Sequence, residues 1–133
     1  MEIGITAGAF DLFHAGHVMM LKEANEACDH LIVALHTNPQ LDRDDKNKPI
    51  QSTYERYLQL EACKYVDEII PYDTEADLYT ILNSNIATVR IIGEEYLDTN
   101  FTGCFIPMKI HYNKRKHKYS STELRERIIN ESV

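Results

Sequence analysis

Residues 2–36 read EIGITAGAFDLFHAGHVMMLKEANEACDHLIVALH, and the hydrophobic pattern changes twice within that stretch. Glu2 to Ala7 is a short β-like run that ends in a loop containing Gly8, Phe10, Asp11 and His14. Gly16 opens a helix, because Val18, Met19, Leu21, Ala24 and Ala27 recur at helical spacing through Cys28. Leu31 to His36 is then a near-continuous apolar run, the mark of a strand buried on both faces of a parallel sheet. The order is β-α-β.

The rest of the chain continues the alternation. Asn38 to Gln51 is polar, charged and punctuated by two prolines, so it reads as a surface loop carrying Lys46 and Lys48. Ser52-Thr-Tyr-Glu55 has the form of a capping box and starts a second helix running to about Lys64. Asp67 to Tyr72 is a third strand, and Thr74 with Asp77 caps a third helix that ends near Asn83. Thr88 to Ile92 is a fourth strand, closed by Gly93, and Met108 to Tyr112 a fifth. Ser120-Ser-Thr-Glu123 is another capping box and opens the last helix. The expected fold is α/β: a Rossmann-like, doubly wound five-stranded parallel sheet with right-handed crossovers, one domain over residues 1–133. Ligands of such folds bind at the carboxyl ends of the strands where the winding reverses. The loop after strand 1, the loop after Gly93 and the start of the last helix should therefore meet at one crevice.

Composition agrees with a single globular domain: 133 residues, 44% hydrophobic and 26% charged. Three cysteines, Cys28, Cys63 and Cys104, are odd in number and form no CxxC pair, which argues against a secreted disulfide framework or zinc knuckle and for a reducing cytoplasm. The opening MEIGITAGAF has no basic n-region, and the longest aliphatic run is far too short to span a bilayer, so neither export nor membrane insertion is expected. The net charge of −7 disfavours nonspecific binding of nucleic acid. Yet between Pro107 and Arg127 seven Lys and Arg residues face two acids, a local charge of +5 that leaves −12 elsewhere. A bound polyanionic small molecule explains that concentration, and so does a solvated helix end.

The segment Gly8-Ala9-Phe10-Asp11-Leu-Phe-His14-Ala-Gly16-His17 matches neither GxxxxGK[ST] nor GxGxxG. It places two imidazoles three residues apart at a helix start. If that turn is helical the rings project to one side, and Gly16 leaves the backbone amides open to a ligand. Imidazoles and free amides there can donate to phosphate oxygens and stabilise charge that grows in a transition state. The plainer reading is a pair of unrelated surface or capping histidines. A metal site using His14, His17 and Asp11 would want a further imidazole or carboxylate that the sequence does not place nearby, so no protein-built metal site is expected. Asp11 is a helix cap or helps hold a magnesium ion or a substrate amine.

These residues resemble the HxGH signature of the cytidylyltransferase-like nucleotidyltransferases, preceded by that family's Gly-x-Phe-Asp. The likeness runs over nearly the whole chain: the lysine-bearing loop, Glu55-Arg56, Tyr65-Val-Asp67-Glu-Ile-Ile-Pro71, Gly93-Glu94-Glu95-Tyr96, and Arg115 followed by Ser120-Ser121-Thr122. It departs at Glu94 to Tyr96, where the family usually has aspartates and often a tryptophan, and at Lys116-His117-Lys118, where Thr-Glu-Gly is more usual.

The resemblance implies transfer of CMP from CTP to a small phosphorylated polyol of the glycerol 3-phosphate kind. A phosphate oxygen of the acceptor attacks the α-phosphorus directly and pyrophosphate leaves. Adenylyl transfer to a sugar phosphate, pantetheine phosphate or mononucleotide is the alternative within the class, and a noncatalytic nucleotide-binding module the alternative outside it. By the same likeness His14 and His17 bind the triphosphate and steady the α-phosphoryl group, one of them a candidate to protonate the leaving oxygen. Lys46, with Lys48 as the alternative, is the cation over the phosphates. Ala9, Phe10, Gly16, Gly93 and Glu94 line the nucleotide. Ser120, Ser121 and Thr122 offer hydroxyls and helix amides to the β and γ phosphates, with Arg115, and Arg125 as a further candidate, adding charge. The plainer account of Ser120 to Glu123 is an ordinary helix cap. Arg56 either reaches substrate phosphate or pairs with a neighbouring carboxylate. Magnesium as cofactor and a homodimer are expected on the same grounds.

Overall fold

The computed structural model describes residues 1–114 and 117–131. Strands β1 (Ile3–Gly8), β2 (His30–His36), β3 (Glu68–Tyr72), β4 (Val89–Gly93) and β5 (Lys109–Asn113) alternate with helices α1 (Ala15–Glu26), α2 (Thr53–Glu61) and α3 (Glu75–Leu82), and α4 (Ser121–Glu131) follows β5. Among the described residues the strands form one sheet in the order β3-β2-β1-β4-β5, every pairing parallel. The chain winds outward from β1 to β3, then returns to place β4 on the other side of β1. That reversal opens the crevice at the carboxyl ends of β1 and β4.

The continuous apolar run of β2 divides by alternation. Leu31, Val33 and Leu35 face one layer, where α1 contributes Leu21 and Ala24 and α2 contributes Leu60. Ile32 and Ala34 face the other, beside Leu78 and Leu82 of α3. Each face of the sheet is thereby covered, as a parallel sheet requires. Arg90 of β4 is also buried; it donates to the Thr102 carbonyl and lies 5.3 Å from the Phe101 ring centroid, which pins the 94–107 segment against the sheet. All three cysteines are free thiols, and burial pushes the Cys28 thiol up. Among the described residues no helix is long and apolar enough to cross a membrane.

Helix starts follow the side-chain caps. Ser52 with Glu55, and Thr74 with Asp77, form reciprocal capping boxes as expected. The second helix ends at Glu61, three residues before Lys64, and closes in the turn at Ala62. At α4 the expected box is half made. The Ser120 Oγ accepts from the Glu123 amide at 3.0 Å, but the Glu123 Oε1 accepts from Arg127 Nε at 2.9 Å and Nη2 at 2.6 Å. An ion pair one turn along the helix has displaced the second capping bond.

Arg56 corrects an expectation. Its side chain reaches neither a substrate site nor, among the described residues, a carboxylate partner: the residue is 1% exposed and its guanidinium is embedded in backbone. Nη1 donates to the carbonyls of Ala9 (3.0 Å) and His36 (2.6 Å), and Nη2 to the Thr37 carbonyl (2.7 Å) and Thr53 Oγ1 (3.2 Å). Nε is shared between the carbonyls of Gln51 (3.2 Å) and Ser52 (3.3 Å). All five N–H donors are used, which is what makes a buried guanidinium tolerable. Burial lowers its pKa, and the nearby Asp11 charge partly offsets this. The fork ties the ends of β1 and β2 to the start of α2. Arg56→Ala should destabilise the protein by about 3–5 kcal/mol, because it strands several buried carbonyls at once. Arg56→Lys should recover little of this, since an ammonium cannot reproduce the planar fork. Urea unfolding of both variants measures the effect, and a loss below about 1 kcal/mol for Ala would contradict the assignment.

Candidate active site

The β1–α1 loop carries its backbone in an uncommon state: Phe10 and Leu12 have φ of 51° and 53°. Positive φ at bulky residues persists only where surroundings hold it, and here they do. The Ala9 carbonyl is taken by Arg56. Both Asp11 oxygens accept backbone amides, Oδ2 from Ile50 at 2.8 Å and Oδ1 from Gln51 at 3.0 Å, while the Leu12 amide donates to Gln51 Oε1 at 2.8 Å. Asp11, expected as a substrate ligand, is placed as a loop clamp joining residues 9–13 to 50–51. Phe10 is buried in the core with its ring 5.4 Å from that of His17, so any nucleotide contact it makes comes from its backbone.

At the start of α1 the two histidines form a capping box of their own. His14 is the N-cap, its Nδ1 accepting the Gly16 amide at 3.0 Å, and His17 Nδ1 accepts the His14 amide at 3.1 Å. An imidazole that accepts at Nδ1 carries its proton on Nε2, so both rings have the same tautomer. Their centroids are 4.0 Å apart, and Phe13 stacks on His17 at 5.5 Å with 9° between planes. Burial, then the neighbouring His14, lowers the His17 pKa to about 4, with Asp11 opposing weakly. His17 is therefore a neutral Nε2–H donor near pH 7, and not a protonated acid waiting for a leaving group. Gly16 is buried between rings: a Cβ there would lie 2.8 Å from His14 Cε1 and 3.0 Å from His117 Cε1.

The last helix meets this loop. Ser121 Oγ donates to the Asp11 carbonyl at 3.3 Å, and Arg125 Nη2 sits 3.5 Å from Asp11 Oδ2. Ser120 caps α4, and Thr122 is exposed in its first turn. The histidine-bearing helix start and the hydroxyl-bearing one thus share Asp11 as a neighbour. Gly93 ends β4, next to β1 in the sheet, but the carboxylate folded over it is Glu95, whose Oε1 and Oε2 would collide with a Cβ there; Glu94 is exposed. Lys46 and Lys48 are exposed on the 42–51 segment, and no hydrogen bond or ion pair among the described residues brings either side chain to the histidines. Arg115 lies outside the described residues. His117, which no motif singled out, stands against Gly16; its place three residues before Ser120 was the available signal. Among the described residues no group of three His, Cys, Asp or Glu side chains could hold a metal ion.

The depressed His17 pKa has a pH signature. As pH falls below 6.5 the unfolded chain protonates this ring first, so its stabilising contribution is complete above 6.5 and is lost as pH drops toward 4. The loss amounts to about 3 kcal/mol at most. Urea unfolding at pH 7.5, 6 and 5 should show a steeper decline for the wild-type protein than for His17→Gln, and parallel curves would contradict it.

The cytidylyltransferase-like family model matches residues 5–127. The glycerol-3-phosphate cytidylyltransferase of Bacillus subtilis (strain 168) is 33% identical over 129 residues, covering 96% of this chain and 98% of that protein. The ethanolamine-phosphate cytidylyltransferase of Dictyostelium discoideum is 32% identical over 133 residues and covers 92% of this chain, which spans only 36% of that protein's length. The crystal structure of the lipopolysaccharide core biosynthesis protein from Thermoplasma volcanium GSS1 matches with a TM-score of 0.62 over 100% of this chain and 90% of that one, a likeness of fold at 21% identity. With that span matched, the chain belongs to the cytidylyltransferase-like family.

Proposed function

We propose that the protein transfers CMP from CTP to a small phosphorylated polyol of the glycerol 3-phosphate kind. The observation that carries this reading is the histidine capping box, which fixes two imidazoles as Nε2–H donors beside the hydroxyl-bearing start of α4. Family membership supports the transfer chemistry, and the 33% identity to the Bacillus subtilis glycerol-3-phosphate cytidylyltransferase over 96% of this chain supports the acceptor class.

An oxygen of the acceptor phosphate forms a bond to the α-phosphorus of CTP, the bond from that phosphorus to the bridging oxygen breaks, and pyrophosphate carries away the electron pair. No side chain need become covalently attached, since positioning and charge stabilisation supply most of the rate in such transfers. Neutral His17 donates to oxygen on the α-phosphoryl group as negative charge accumulates there. His14 does the same from the adjoining position. Being tied at Nδ1, neither ring must reorient during the step. The first turn of α4 receives the outer phosphates at its amides and hydroxyls.

Magnesium finds no carboxylate cage in the described residues, and Asp11 is committed to backbone amides. A magnesium ion would instead arrive with the triphosphate, where it would neutralise phosphate charge. A homodimer is part of the proposal, supported by the exposed apolar side chains Tyr54 and Leu58 of α2 and Ile129 of α4. The free thiols support residence in a reducing cytoplasm.

Pyrophosphate release, measured with each of the four triphosphates against glycerol 3-phosphate and phosphoethanolamine, tests the reading. CTP with glycerol 3-phosphate should be preferred. A preference for ATP would overturn the cytidine assignment, and CTP binding without turnover on a broad acceptor panel would indicate a binding module. Appearance of CMP without acceptor would indicate a hydrolase. In the active system His17→Ala should lower turnover on the order of a hundred- to a thousandfold while far-UV circular dichroism stays native, because the lost donor acts mainly in the transition state.

A further inference from the structure

His117 is a third imidazole at the same helix start, and its ring is held in the same manner as the other two. Its Nδ1 accepts the Tyr119 amide at 3.1 Å, and the ring stacks on Tyr119 with centroids 5.4 Å apart and 23° between planes. The proton of that ring is therefore on Nε2. Its Cε1 and that of His14 lie 3.0 and 2.8 Å from one point, the position a Gly16 Cβ would take, so the two atoms are no more than 5.8 Å apart. The ring is half-buried. It stands between the amide end of α1 and the Ser120 cap of α4, the two helix starts that offer donors to an anion.

We propose that His117 is a further phosphate-binding residue, donating from Nε2 to a non-bridging oxygen of the β or γ phosphate of the bound triphosphate. The inference deepens the proposed nucleotidyl transfer and rests on that reading for the identity of the ligand. Its physical basis is spacing. Neighbouring phosphorus atoms of a polyphosphate are about 3 Å apart, so imidazoles within 5.8 Å of one another can hold adjacent phosphates. Because this contact exists before the reaction and persists on the departing pyrophosphate, His117 contributes to affinity and little to the chemical step. It is a binding group in the ground state, in contrast to His17.

Two substitutions separate this role from a structural one. His117→Asn keeps an acceptor where Nδ1 sits and so retains the tie to Tyr119, but has no donor at the Nε2 position. His117→Gln places an amide N–H near that position. The expected result is an apparent KM for CTP raised about tenfold or more in the Asn variant, with kcat within about threefold, and most of the affinity restored in the Gln variant. Titration calorimetry with inorganic pyrophosphate should show the same order of affinities without turnover. Wild-type pyrophosphate and CTP affinities in the Asn variant would overturn the proposal, and so would equal weakening in both variants together with equal thermal destabilisation. If the wild-type protein binds CTP but never releases pyrophosphate while the Asn variant still binds more weakly, the transfer reading fails and the phosphate-binding assignment stands.

Discussion

A single buried guanidinium holds the carboxyl edge of the sheet together. Arg56 enters from the first turn of α2 and satisfies carbonyls from the ends of β1 and β2 at the same time. Backbone at the ends of strands has lost its ladder partners and must find others when it is buried. An apolar side chain at this position would leave those oxygens without their donor. Through Ala9 the fork also supports the loop in which Phe10 and Leu12 adopt positive φ, so the backbone strain next to the histidines is borne by an interaction rooted elsewhere in the fold.

What that loop presents is a set of donors more than a set of charges. The His17 ring is walled by Phe10 and Phe13 and by its partner imidazole, and that burial makes a positive charge on it costly. The capping box answers a different need, since the first amides of any helix lack partners. Here the capping groups are imidazoles, so one arrangement both completes the helix and leaves the proton of each ring on Nε2.

Most of the fold was legible in the order of elements. The continuous apolar run of β2, the serine and threonine capping boxes of α2 and α3, and the alternation of strand and helix are local properties, and the parallel sheet follows from them. The misread positions were those where partners come from distant segments. An arginine one turn into a helix looks the same whether it meets a phosphate or a cluster of carbonyls, and only the juxtaposition of Ala9, His36 and Thr37 distinguishes them. Asp11 was similarly opaque, because its acceptors' donors, Ile50 and Gln51, lie at the far end of a polar loop. At α4 the competing choice was local: Arg127 outbids a backbone amide for Glu123. Capping was one reading of the two histidines, but their reciprocal pairing in one box was not legible because imidazole is not among the usual capping side chains.

The crowding around Gly16 has an evolutionary reading. Any larger residue there must push aside an imidazole that is itself tied to the Gly16 amide, so drift at this site disturbs packing before it touches catalysis. A descendant that had abandoned turnover would still be selected to keep glycine at this position, because a side chain there disturbs the imidazoles packed on it. The motif, met alone in some other genome, is testimony to architecture first and to chemistry second.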